Sequence, residues 1–110
     1  MKTISIPAAL LCLTTAVEAQ EIPRGLGHGS NPVHWYDTGC CDRQDCEPVE
    51  PGAIRQTADG YHVRYMTSRG FVAEGIVPYG SSAIRPSRDH QEHACATTQR
   101  ILCIYLPFGV

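Results

Sequence analysis

The sequence predicts a small, mainly β domain held by disulfides, with short antiparallel strands arranged as a meander, a C-terminal hairpin and a Cys-rich loop. Three observations predict it. Residues 61–66 alternate, with Tyr61, Val63 and Tyr65 on one face and His62, Arg64 and Met66 on the other. Turn chemistry recurs at short intervals, at Asp59-Gly60 and at Ser68-Arg69-Gly70. Cysteine is abundant where aliphatic side chains are scarce: residues 20–110 hold five of the six cysteines but only 17 Ile, Leu, Val and Phe in total. So thin a core leaves a domain of this size marginal unless it is crosslinked.

Residues 1–19 read as a secretory signal peptide. Lys2 supplies the positive start, Ile4 to Val17 the apolar run, and Val17-Glu18-Ala19 small residues at the cleavage positions, with cleavage expected near Ala19-Gln20. The run is too short and too interrupted for a stable membrane anchor. Leu11 before Cys12 argues against a lipoprotein signal, because a lipid-modified cysteine follows a small residue. The mature chain is therefore expected in the periplasm or the extracellular medium, where disulfides persist. Residues 20–32, rich in Gly and Pro, read as a flexible N-terminal arm, and 33–110 as a single small β-rich domain.

Within that domain, Trp35 and Tyr36 are expected as a lid on a small core. Residues 39–46 read as a loop or a single helical turn, and Pro48 and Pro51 end anything helical there. Strands are expected at 53–57, 61–66 and 71–78, with Gly75 marking a bulge or a close backbone approach. Residues 79–91 read as loop around Pro86. A hairpin is expected from 92–96 and 101–106, and Ile101, Leu102, Ile104 and Leu106 make its second strand central and buried.

The cysteines admit two chemistries. As crosslinks, they form two bridges and leave one thiol. Cys40 and Cys41 are adjacent and should take different partners, and Cys95 and Cys103 fall opposite one another on the expected hairpin. The favoured pairing is therefore Cys95–Cys103 with Cys46 bound to Cys40 or Cys41. Its rival crosslinks the 40–46 loop to the C-terminal strands, which closes longer loops and stabilises more. The odd cysteine leaves open a disulfide-linked homodimer. As ligands, His34, Cys40, Cys41, Cys46, His93 and Cys95 form a sulfur- and nitrogen-rich set suited to zinc or copper. His93 and Cys95 share one strand face.

Other chemistry is weakly signalled. A free cysteine with His34, His62, His90 or His93 has the residue types for nucleophilic catalysis, but no local motif organises them. Asp42 and Asp45 read as loop residues, and Arg85-Pro86-Ser87-Arg88-Asp89 as a solvated turn. Net charge is −2, which disfavours a basic nucleic-acid binder, and residues 20–110 contain no membrane-length apolar run. Eight arginines and no lysine follow residue 19.

The order His34-Trp35-Tyr36, Cys40-Cys41, Asp45-Cys46, Gly60-Tyr61-His62-Val63, Arg85-Pro86-Ser87, His93-x-Cys95 and Leu102-Cys103-x-Tyr105-x-Pro107 resembles a set of small exported bacterial proteins of unknown function. The likeness spans about 34–107 and implies export and a shared scaffold, with no activity attached. Where that set has Ser-Pro-Asp-Gly, this chain has Ser87-Arg88-Asp89-His90, which counts against a tight turn. The expected role is a non-catalytic envelope or secreted binding module whose partner is an unidentified protein or envelope component.

Overall fold

The structure is a computed structural model and describes residues 21–28, 35–40 and 46–107. Among these residues the chain forms β1 (Cys46–Pro48), β2 (Ile54–Thr57), β3 (Gly60–Met66), β4 (Val72–Val77), β5 (Ile84–Pro86), β6 (His93–Ala96) and β7 (Ile101–Leu106). The mainly β, disulfide-bonded class expected from the sequence is what the molecule has. Two sheets result, one ordered β2-β3-β4 and the other β1-β6-β7-β5.

The first sheet is the expected meander. Thr57 pairs with Gly60 around a two-residue loop, and the Thr57 hydroxyl donates to the Gly60 carbonyl at 2.8 Å while accepting from Asp59 N–H. Gly60 adopts φ 139°, and a Cβ there would stand 2.4 Å from the Val77 carbonyl oxygen. Alternation on β3 places Tyr61, Val63 and Tyr65 inside, as the pattern requires. Gly75 proves to be a close approach: its pairing with Val63 is regular, and an added Cβ would sit 3.0 Å from Ile101 of the facing sheet.

The second sheet departs from the expected antiparallel hairpin in two ways. β6 and β7 pair as expected, and β7 is central and buried. However, β5 forms within the stretch read as loop and runs parallel to β7, from Ile84 opposite Ile104 to Pro86 opposite Leu106. Similarly, β1 forms where a loop was expected and pairs antiparallel with β6. Both strands are three residues long and lie at sheet edges, where a proline costs no ladder bond. Strands this short carry no alternation by which sequence could reveal them.

Packing assigns the two faces of β6 and β7 to different layers. Ala94, Ala96, Ile104 and Leu106 bury against Ile54, Tyr61, Val63, Tyr65, Ala73 and Val77 of the three-stranded sheet. Cys95, Cys103 and Tyr105 face the other way, toward Trp35, Tyr36 and Cys40. Register slips between Cys95 and Ala96, so that consecutive Leu102 and Cys103 both face the cysteine layer while Ile101 packs in the main core.

Part of the expected free arm is tied down. Gly25 N–H donates to the Met66 carbonyl and Leu26 N–H to the Pro48 carbonyl, each at 2.8 Å, while Met66 N–H donates to the Pro23 carbonyl. Residues 23–26 thus join β3 of one sheet to β1 of the other. Buried Glu47 reinforces the seam by accepting from Gly27 N–H at 2.8 Å and Ser68 N–H at 3.1 Å. The arm's bonds run through backbone groups, which apolar periodicity does not report. Replacing Gly60 with Ala is expected to cost about 1–3 kcal/mol in urea unfolding. Replacing Gly39, whose Cβ would meet nothing within 4 Å, should stay within ~0.5 kcal/mol.

Candidate functional site

Of the residues singled out as ligands or crosslinks, Cys40, Cys46, His93, Cys95 and Cys103 converge on the outer face of the β1-β6-β7-β5 sheet. Cys46 and Cys95 are register partners on β1 and β6, and they are bonded to each other across a Cα separation of 3.9 Å. Cys103, on the far side of Cys95, is bonded to Cys40 across 5.5 Å. The favoured pairing, Cys95–Cys103 with Cys46 to Cys40 or Cys41, is therefore corrected, and the rival pairing is the observed one. Cys95 does stand opposite Cys103, as the hairpin requires. It has a second neighbour in β1, the strand that sequence reading missed, and it bonds there instead.

The bridges span sequence separations of 63 and 49 residues. Loops of that size restrict the unfolded chain by an entropy worth roughly 4 kcal/mol each in the chain-closure account. All four sulfur-bearing residues are buried.

An aromatic lid covers them. Trp35 packs its ring 4.9 Å from His93, 5.1 Å from Tyr36 and 5.2 Å from Tyr105, centroid to centroid. Polar contacts pin the lid along its length. Tyr36 hydroxyl lies 2.6 Å from His93 Nδ1, Asp37 N–H donates to the Tyr105 hydroxyl at 2.8 Å, and the Asp37 carboxylate pairs with Arg85. The lid expected of Trp35 and Tyr36 is thus present, and its core is the disulfide layer.

His93 is fully buried at the centre of this layer. Its Nε2 lies 2.8 Å from the Asp89 carboxylate. Neutral imidazole satisfies both contacts in one tautomer, with Nε2–H donating to Asp89 and Nδ1 accepting from Tyr36. Burial holds His93 below the usual histidine value, and the bond to Asp89 opposes this only in part. For Asp89, burial acts upward but is outweighed by hydrogen bonds from His93, Gln91 N–H and Ser87, so its carboxyl is held below the ordinary range. Burial also pushes the Tyr105 phenol up.

Asp89 owes its position to a bent loop. Its carboxylate accepts from Gln91 N–H at 3.1 Å, and His90 adopts φ 66°. The Ser87-Arg88-Asp89-His90 segment bends without forming a hydrogen-bonded turn, and histidine takes the left-handed region that glycine would occupy without strain.

These contacts define what the layer can do. Cys40, Cys46 and Cys95 lie in disulfides and are not thiolates, and both nitrogens of His93 are engaged. His34 and Cys41, the remaining members of the metal-ligand set, lie outside the described residues, as do Asp42 and Asp45. Among the described residues no group of three or more His, Cys, Asp and Glu is placed to hold a metal ion. His62 instead meets Glu74 at 2.8 Å on the solvent face of the meander, away from the cysteines. Asp89, Asp37 and Arg85 are partners that sequence reading missed. Arg85 and Asp89 lie in a segment read as a solvated turn, and Asp37 carried no signal.

Removing Cys40–Cys103 by paired substitution to Ala should lower stability by about 2–4 kcal/mol in urea unfolding, with the Cys46–Cys95 bridge left intact. The depressed His93 predicts a pH dependence of definite sign. As pH falls below about 6.5 the unfolded chain takes up a proton that native His93 refuses, so stability is whole above that value and lost below it. The urea midpoint should therefore fall between pH 7.5 and 5, and His93→Gln should flatten the slope. No family model, no curated protein and no solved structure matches this chain.

Proposed function

We propose that this chain is an exported, non-catalytic binding module that works in an oxidising space such as a periplasm or the extracellular medium. One observation carries the reading: two long-range disulfides staple the outer face of the four-stranded sheet, and among the described residues no further layer of secondary structure covers it. A reducing cytosol would keep those cysteines as thiols and leave the lid unstapled. The signal-like residues 1–19 point the same way.

In the disulfide layer Cys40, Cys46, Cys95, Cys103 and His93 are spent on internal contacts, which favours a scaffold that presents surface. Its partner is an envelope component or a secreted protein. Among the described residues no helix is long and apolar enough to cross a membrane.

Intact-mass measurement tests the proposal on the full chain expressed with its own N-terminus and recovered from the exported fraction. The expected product begins at Gln20 and contains two reducible bridges and one alkylatable thiol. Retention in the cytosol, or four to five free thiols with stoichiometric zinc or copper, would overturn it. A reducible doubling of mass would make the functional unit a disulfide-linked homodimer.

A further inference from the structure

The chain between β1 and β2, together with the segment just before β6, lines a cleft of about 500 Å³. That is within the size range of small-ligand sites. Val49 and Ile54 form buried apolar parts of its lining, and Leu26, at 53% exposure, stands at its rim with Pro51 and Pro107. Among the described residues of its lining the one acidic side chain is Glu92.

Glu92 differs from the other shielded carboxylates of the described residues. Glu47 is satisfied by two backbone N–H groups, Glu50 by Arg24 N–H, Asp89 by His93 and Gln91, and Asp37 by Arg85. Glu92 is half-buried beside apolar walls, and its carboxylate makes no hydrogen bond or ion pair among the described residues. A carboxylate partly removed from water without a partner is costly. Beside it His90, which also lines the cleft, holds its left-handed backbone, a strained geometry at the mouth of a cavity.

We propose that this cleft binds an organic cation, a protonated amine carried on an aliphatic body of about four to eight carbons. The ammonium pairs with Glu92, and the hydrocarbon covers Leu26, Val49 and Ile54. A neutral analogue keeps only the apolar part, and an anion meets repulsion. Burial already raises the Glu92 carboxyl above its ordinary value, so a bound cation draws it back down and binding strengthens as pH rises. The inference rests on the reading of the chain as a binding module and names the ligand class of one site on it.

Amide NMR titration of the oxidised full chain with n-hexylammonium, hexanol and hexanoate tests it. Hexylammonium should shift the amides of Leu26, Val49, Gly52, Gln91 and Glu92 and bind at least about tenfold tighter than hexanol. Glu92→Gln, which breaks no internal contact, should bring the two within about twofold, and Leu26→Asn should weaken both. Equal binding of amine and alcohol, tighter hexanoate, or a preference that survives Glu92→Gln would overturn the ligand class while leaving the binding-module reading in place. Shifts that map elsewhere, or none from any probe, would remove the cleft as a site. The mass measurement decides export and bridging independently.

Discussion

The central constraint is that β6 and β7 are buried on both faces while, among the described residues, only one face has a sheet to pack against. A sheet must cover its apolar surface with another layer, and most small domains stop at two layers. Here the inner face meets the meander through Ala94, Ala96, Ile104 and Leu106. Among the described residues the outer face is covered by the short segment 35–40, which has few apolar side chains to hold it there. Cys40–Cys103 anchors one end of that segment, and Cys46–Cys95 clamps the edge strand that follows. The rings of Trp35, Tyr36 and Tyr105 then fill the layer.

Polar satisfaction follows from the same arrangement. Closing the lid removes His93 from water, and its two nitrogens need partners at once. Tyr36 comes from the lid, 57 residues away, and Asp89 from the bent loop just before β6, so one imidazole ties the lid to the loop and the strand. Asp37 does the same for Arg85 and Tyr105. At the opposite end of the core, Glu47 couples the arm to the turn after β3. Buried Glu47 and His93 are therefore joints between segments, and the Glu92 carboxylate stands out because it joins nothing among the described residues.

Legibility varied with element length and with the range of the interaction. β3 showed its inward face through strict alternation, and Thr97–Arg100 between two apolar runs marked the β6–β7 turn. The three-residue β1 and β5 were not visible, because Pro48 and Pro86 argue against strand to any local reading. Missing β1 had a direct consequence. With no strand beside β6, Cys103 was the only neighbour in view for Cys95, and the wrong bridge followed. His93 and Cys95 were correctly placed on one face, yet Asp89 and Tyr36 could be joined to His93 only once the sheet was assembled.

By itself the sequence determined the β class, the meander, the central position of β7 and the need for crosslinks, because alternation, turn residues and a count of aliphatics against cysteines are all local or additive quantities. Tertiary structure alone decided which cysteines pair, that β5 runs parallel, that residues 23–26 bridge the sheets, and that the imidazole of His93 is locked between Asp89 and Tyr36. Each of these depends on segments brought together from more than one place in the chain. Disulfide choice is the clearest case: Cys95 has a neighbouring cysteine on each side, and the presence of β1 settles which one it bonds.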